Sequence, residues 1–260
     1  MVNKNNHIVS IIMNCHNGEK FLKETINSLL NQTYTNWELI FYDNFSSDNS
    51  LSIVASFNDQ RIKIYKSKSF INLYHARNEA IKKVIGKYIF FLDTDDLWER
   101  NKVKEQVEFM ENNNQYSMVY SNFYILDENK KRKDICYNFL LPEGKITEKI
   151  LKKYTIGILT VCIKKEMFVT KKFEENFNVI GDFDFFVNLS IEHNIGCIQE
   201  PLACYRKHEE NYSRKNIKIH IEELKSWIQS NNLKFAKLGY SLFHQKFYLF
   251  KLKIKLFLGM

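Results

Sequence analysis

The sequence predicts an α/β protein, a mostly parallel central sheet flanked by helices, ending in a basic, aromatic-rich helical tail. Three observations predict it. Short apolar runs rich in β-branched residues alternate with amphipathic stretches, the signature of βαβ units with right-handed crossovers. Two of those runs stop on aspartates, Asp43 and Asp93, at the strand ends where open α/β sheets bind ligands. From Leu224 to Met260 there are seven lysines and no acidic residue.

Taken in order, Ile8–Met13 is a first strand. A polar turn, Asn14-Cys15-His16-Asn17-Gly18, leads to a helix with Phe21, Leu22, Ile26, Leu29 and Leu30 on one face. Glu38–Tyr42 is the second strand, and Ser46, Ser47 and Asp48 offer caps to a helix carrying Leu51, Ile53 and Val54. Arg61–Tyr65 is the third strand. A helix through Ala76, Ala80 and Val84 follows, with Gly86 placed just beyond its end. The fourth strand, Tyr88–Leu92, is apolar throughout and reads as buried on both faces. After a charged helix, Lys102–Glu111, and a strand at Ser117–Tyr120, strict alternation is lost, and a soft boundary falls near residue 122. Ile195–Ile198 and Leu202–Tyr205 read as two short strands. The expected division is 1–122, 123–215 and a helical segment 216–260.

The formal charge of +8 suits phosphorylated ligands, an anionic membrane surface or nucleic acid, but the basic cluster is terminal and no nucleic-acid-binding motif accompanies it. Five scattered cysteines, never in CxxC spacing, argue for a reducing compartment and against a zinc site or disulfide framework. The run Ile8–Met13 is too short for a signal-peptide core, and no stretch reaches membrane-span length. The expected location is cytoplasmic, with peripheral attachment to the inner face of the membrane through residues 226–260. Against attachment, the lysines near Phe250–Leu256 do not share one helical face.

Asp93, Asp95 and Asp96 would repel one another at a strand end unless a cation neutralised them, and all-oxygen donors suit Mg²⁺ or Mn²⁺ shared with substrate phosphates. The alternative is a helix N-terminus complemented by acids. Asp43 at its strand end could accept the imide N–H of uracil, which cytosine lacks, or make an Asx turn with Asn44. Arg77 has the donor fork a diphosphate wants, yet a lone helical arginine is more often a surface residue. Asp182 and Asp184 lie among Phe183, Phe185 and Phe186. Such surroundings raise a carboxylate pKa toward general-base use, although Asp182 could simply cap a helix. His208, after a strand, is a candidate metal ligand or diphosphate contact, although a lone histidine there is more often structural.

Together these segments resemble glycosyltransferase family 2, the inverting nucleotide-sugar enzymes of the GT-A fold. The resemblance covers most of residues 8–213. It rests on Val9-Ser-Ile-Ile12, Asn31-Gln-Thr-Tyr34 with Trp37-Glu-Leu-Ile40, and Asp43-Asn-Phe-Ser-Ser-Asp48. It continues through Ala76-Arg-Asn78, Phe91-Leu-Asp-Thr-Asp-Asp-Leu-Trp98, Gly181-Asp-Phe-Asp184 and Tyr205-Arg-Lys-His208. It implies a metal-dependent hexosyltransferase using Mn²⁺ or Mg²⁺. The donor would be a UDP-sugar, and the acceptor a hydroxyl of a glycan or lipid-linked saccharide, as in bacterial surface polysaccharide synthesis.

Carried over residue by residue, it implies donor contacts from Asn17, Asp43, Arg77, Asp93, Asp95 and Asp96, metal ligation by Asp95, Asp96 and His208, and Asp182 as catalytic base. The chain departs from the family pattern in places. Asn14-Cys-His-Asn17 stands for Pro-x-Tyr-Asn, Asn44 for the second acid of an Asp-Asp pair, and Gly181 for the glutamate before the base. Tyr74 and Ala80 occupy positions that are often glycine. A sugar-phosphate nucleotidyltransferase would want a Gly-rich basic loop after the first strand, which Asn14–Gly18 is not. A catalytically silent carbohydrate- or membrane-binding protein on the same fold is the other alternative, opposed by intact Asp95 and Asp182.

Overall fold

A computed structural model describes residues 7–128 and 132–258. Strands β1 (Val9–Cys15), β2 (Trp37–Asp43), β3 (Ile62–Lys66) and β4 (Tyr88–Phe91) are parallel. Helices α1 (Glu19–Leu30), α2 (Ser50–Ala55) and α3 (Leu73–Ile81) are the crossovers, and the strand order is β3-β2-β1-β4. The chain therefore moves outward from β1 to β3, then returns to the other side of β1. That reversal opens a crevice at the carboxyl ends of β1 and β4, between diverging connections.

Beyond β4 the sheet becomes mixed. Strand β5 (Leu97–Trp98) and α4 (Lys102–Asn112) lead to the long β6 (Tyr116–Asp127), which pairs with β7 (Arg132–Ile135). Helix α5 (Thr147–Lys152), a 3-10 turn at Ile158–Thr160 and β8 (Cys162–Lys164) follow. Next come α6 (Met167–Thr170), α7 (Gly181–Glu192) and β9 (Asn194–Lys207). The order continues β4-β8-β6-β9-β5, with β8 antiparallel to both neighbours and β6 parallel to β9. Position 122 lies inside β6, so the two segments divided there share one sheet. The two short strands expected between 195 and 205 are one strand, and its register shifts around Asn122 and Pro201 absorb the proline.

The sheet separates two cores. Leu22, Ile26 and Leu29 of α1 and Val103, Val107 and Met110 of α4 pack on one face. Tyr74, Ala76 and Ala80 of α3, Phe185 and Phe186 of α7, and the tail pack on the other. Lys102 belongs to the core despite its charge. Its Nζ lies over the rings of Trp98 and Phe90, at 5.1 and 5.5 Å, and burial lowers its pKa to about 7.

The tail is two different things. Short α8 (Tyr212–Lys215) precedes α9 (Ile217–Lys237), whose Leu224, Trp227 and Phe235 are buried in the core. Glu223 accepts the backbone N–H groups of Asn178, Val179 and Ile180 at 2.6, 2.9 and 3.2 Å, holding the chain that enters α7. Residues 226–237 are thus part of the body and not an appendage. Of the two long tail helices, α10 (Phe243–Phe257) is the peripheral one, seated through Leu252 and a 2.5 Å bond from Gln245 to the Leu151 carbonyl.

Gly86 does not end α3, which stops at Ile81 with Lys82 as its C-cap. It lets the chain pass directly against β1. Ser10 Oγ donates to Glu38 at 2.5 Å and accepts the Gly86 N–H at 2.9 Å, while Glu38 also accepts the Ile85 N–H at 2.8 Å. A Cβ at Gly86 would lie 2.5 Å from the Ser10 backbone nitrogen. Gly86→Ala should therefore destabilise the protein by about 1–3 kcal/mol, the usual range for overpacking. Urea unfolding should show a lower midpoint at unchanged slope; an unchanged midpoint would mean the β1 backbone can yield.

Candidate active site

The crevice is lined first by strand ends. Asp43 closes β2 and is 3% exposed. Its Oδ2 accepts the Ser46 N–H at 3.3 Å, whereas Oδ1 is buried without a partner. A buried acceptor left unpaired costs free energy, and a ligand N–H would recover it. The Asx-turn alternative is half present, since Asn44 instead exchanges hydrogen bonds with the backbone of Ile71. Asn14, in β1 opposite Tyr42, has both side-chain amide atoms buried and unpartnered. By strand alternation it faces the α3 side together with Ile12.

Asn17 has φ 53°, the left-handed region that asparagine tolerates. Its Oδ1 accepts the Ser47 N–H at 2.8 Å and its own N–H reaches Ser46 Oγ at 3.0 Å. Asn17 is exposed and ties the turn after β1 to the turn after β2, shaping the rim beside Asp43.

Arg77 is no surface residue. It is 3% exposed, and its Nη2 bonds both Asp93 oxygens at 2.9 and 3.2 Å. Its charge also acts on Asp182, the second residue of α7, whose Oδ1 accepts the Tyr74 hydroxyl at 3.3 Å and the Phe183 N–H at 2.8 Å. Burial raises the Asp182 pKa, and the Arg77 guanidinium opposes that rise. The helix begins at Gly181, so Asp182 is not its N-cap. Asp184, two residues on, accepts Trp227 Nε1 at 2.7 Å and Asn188 Nδ2 at 2.8 Å, which engages it with α9 and its own helix.

Two departures from the family pattern compensate each other. A Cβ at Gly181 would lie 2.6 Å from the ring of Tyr74, itself fully buried. The tyrosine occupies space that only a glycine at 181 leaves free, and its hydroxyl supplies a polar neighbour to Asp182.

The three acids after β4 have three fates. Asp93 turns to Arg77. Asp96 is 2% exposed and accepts the Arg206 backbone N–H at 3.0 Å, and burial with the Asp95 and Asp93 charges pushes its pKa well up. Asp96, expected as a donor contact and a metal ligand, spends Oδ1 on the backbone of β9. Asp95 Oδ2 lies 2.9 Å from His208 Nε2 and 3.4 Å from Asn211 Nδ2. Its pKa is raised by burial and by Asp93, against the pull of His208.

Among the described residues no three His, Cys, Asp or Glu side chains form a ready-made metal cluster. The donors still fit a magnesium- or manganese-type ion, which is commonly held by one or two protein groups with substrate phosphates completing the shell. Asp95 supplies oxygen. His208 would supply nitrogen, although its Nδ1 accepts the Glu210 N–H at 3.2 Å here, which leaves Nε2 as donor to Asp95.

Sequence reasoning missed Asn14, Tyr74, Tyr154, Arg206 and Asn211 as parts of this site. Tyr154 has a buried, unpartnered hydroxyl and feels the Asp182 charge. Arg206 joins the Asp95 carbonyl at 2.8 Å to Glu24 of α1 at 2.7 Å, and also bonds Glu128. An amide at the end of an apolar strand was the one legible signal, and it marks Asn14.

The profile of the family described as Glycosyl transferase family 2 matches residues 10–176. An Escherichia coli protein named UDP-Glc:alpha-D-GlcNAc-diphosphoundecaprenol beta-1,3-glucosyltransferase WfgD is 36% identical over 216 residues, covering 82% of each chain. The structure of S. aureus TarS 1-349 in complex with UDP-GlcNAc superposes with TM-score 0.67 at 17% identity, over 85% of this chain and 66% of that one. The mannosyltransferase PcManGT from Pyrobaculum calidifontis, in complex with GDP-Man and Mn²⁺, gives TM-score 0.66 at 13% identity, over 94% of this chain and 70% of that one. At these identities the two structures share the fold while holding different nucleotides.

The Tyr74–Gly181 contact predicts strong coupling. Gly181→Ala should cost about 1–3 kcal/mol in the native background, because the buried ring has nowhere to go. In a Tyr74→Ala background the same change should cost clearly less, an interaction energy above about 0.5 kcal/mol in a double-mutant cycle read by urea unfolding. Additive costs would show that the contact is slack.

Proposed function

The chain belongs to glycosyl transferase family 2 and has its GT-A fold, and on that premise we propose that it inverts configuration while moving a sugar from a UDP-sugar to a hydroxyl of a lipid-linked or surface-glycan acceptor. The observation that carries this reading is the convergence of two acids on one buried guanidinium. Asp93 arrives from the end of β4 and Asp182 from the first turn of α7, with Arg77 bonded to the first and electrostatically coupled to the second. That arrangement brings a donor-side acid and a candidate base to one edge of the crevice. The WfgD name supplies the donor and acceptor classes carried over here, a UDP-sugar and a diphosphate-lipid saccharide.

In this reading Asp43 Oδ1 accepts the uracil N–H and Asn17 holds the rim over the base. Arg77 and Asp93 face the donor diphosphate and ribose. Asp95, with His208 beside it, would hold a divalent ion, which neutralises the diphosphate charge when bound. Asp96 carries no ligand role and fixes the loop to β9. Asp182 takes the proton from the acceptor hydroxyl as that oxygen bonds to the anomeric carbon. The bond from that carbon to the diphosphate oxygen breaks on the opposite face, and UDP leaves with its electron pair. Tyr74 orients the base through its hydroxyl, and the Arg77 charge opposes the rise that burial imposes on the Asp182 carboxyl.

The test is a screen of UDP-, GDP- and dTDP-sugars for nucleotide release and transfer, with Mn²⁺ or Mg²⁺ and then with chelator. UDP-sugars should be preferred and chelation should abolish turnover; a GDP-sugar preference would overturn the base assignment. Asp43→Ala should weaken UDP far more than pyrophosphate. Asp95→Asn should remove the metal stimulation of donor binding in calorimetry, and unchanged affinity with Mn²⁺ would sink that ligand.

Asp182→Asn should lower kcat for transfer by about 10²–10⁴-fold while sparing donor binding. Asp184→Asn should act mainly on melting temperature, through its bond to Trp227. Because a base works ionised and burial raises the Asp182 pKa, wild-type kcat/KM should fall on acidification at a pH above the usual carboxylate range. That limb should be missing from the residual activity of Asp182→Asn. Near-normal transfer by this variant would remove Asp182 from the role.

A further inference from the structure

Helix α10 seats one face on the body and turns the other outward. Gln245, Leu249 and Leu252 form the seated side. At about 100° per residue, Phe243, Phe247, Phe250, Ile254 and Phe257 fall within about 40° of a single line on the opposite side. All five are exposed, from 42% at Ile254 to 90% at Phe257, and the Phe243 and Phe247 rings stack 6.4 Å apart. Such a stripe costs free energy in water and marks an interaction surface.

The lysines gain meaning once the seated face is known. They do not gather on one side of the helix. Lys246 and Lys253 border one edge of the stripe, and Lys251 and Lys255 the other. Lys251 Nζ already rests 4.6 Å from the Phe247 ring centre. Long basic side chains along both edges of an apolar stripe can keep their ammonium groups at headgroup level while the rings enter the acyl boundary.

We propose that α10 docks this protein in the plane of an anionic lipid surface through that stripe. At 15 residues and with four bracketing lysines, it lies on a bilayer and does not cross one. Charge complementarity selects this occupant over a second copy of the chain. A two-fold interface would press lysine edges against lysine edges, and no acidic residue exists between Leu224 and Met260 to relieve them. The docking rests on α10 alone. Its benefit rests on the proposed lipid-linked acceptor, since α10 packs on α9, whose Glu223 and Trp227 hold the ends of the segment carrying Asp182.

The test is cosedimentation of the full chain with vesicles of phosphatidylcholine alone or mixed equally with phosphatidylglycerol, at low and high salt. Binding should require the anionic lipid and fall with salt. Lys251→Gln with Lys253→Gln should lower partition about 25-fold at low salt, about fivefold per lysine. Phe247→Glu with Phe250→Glu should abolish it. Both variants alter exposed side chains, so melting temperature and UDP release from a soluble donor should match wild type. Failure to bind vesicles, equal binding to both lipids, or binding that survives both variants would overturn the proposal. So would a wild-type dimer in analytical ultracentrifugation that Phe247→Glu with Phe250→Glu disperses, which would make α10 a subunit interface. Vesicle binding is read without any sugar, so its outcome is independent of whether UDP-sugar transfer is found.

Discussion

A guanidinium cannot be buried without a counter-charge, and that constraint on Arg77 orders much of this molecule. The group is 3% exposed, under the ring of Tyr74, with Asp93 as its bonded partner. Asp93 is 34% exposed, so the pair is only half buried, but removing it would still leave the enclosed guanidinium without its bonded counter-charge. The loop after β4 therefore has little freedom to leave α3. Asp182 is then drawn into the same field from a different part of the chain. Asp93 and Asp182 meet at the charge of one side chain, not through a local sequence motif.

Arg206 repeats the principle on the other flank. It is 3% exposed and its donors go to the Asp95 carbonyl, Glu24 and Glu128, while its ring-facing side covers Phe21 at 4.5 Å. Its backbone N–H takes the Asp96 carboxylate. Helix α1, the acidic loop and the end of β6 are thus clamped from β9. The three adjacent acids consequently have three different sets of partners. Asp93 is consumed by one buried arginine and Asp96 by the backbone of another, which leaves Asp95 between them with His208 and Asn211 as neighbours.

The parallel half was legible because its signals are local. Apolar runs flanked by polar turns specify buried strands, and aspartates at or just beyond their ends mark the crevice, so Asp43, Asp93 and Asp95 stand out from sequence alone. Asp182, in a helix, stands out only by its phenylalanine neighbours and the family resemblance. What was not legible depends on contacts distant in sequence. Nothing in Asp93-Thr94-Asp95-Asp96 tells which carboxylate turns inward, since the partner that decides it, Arg206, is 110 residues away from Asp96. Gly86 resembled a helix terminator because its true constraint is the backbone of Ser10. Pro201 broke one strand into two on paper, whereas a register shift against Asn122 accommodates it in the sheet. The tail looked uniform because its composition is uniform; Gly239, at φ 80°, ends α9, and the packing of Trp227 and Phe235 makes that helix part of the body while α10 stays at the edge.

The departures from the family pattern are informative for the same reason. Read one at a time, Gly181 for an acid and Tyr74 for a glycine look like losses at a site that needs both positions. In the fold they are a single exchange of volume, since the tyrosine ring lies within 2.6 Å of where a Cβ at 181 would stand. An acid placed at 181 alone would meet that ring, and a glycine placed at 74 alone would open a cavity beside Asp182. The pair must change together. The consequence is that Asp182 lies beside a phenol and near a guanidinium, with no second carboxylate at position 181. The like charge that would raise its pKa further is absent from that neighbour, and a hydrogen-bond donor that favours its ionised form is present. The surroundings of Asp182 are thus built by a different local device, and that device is visible only where two sequence-distant positions touch.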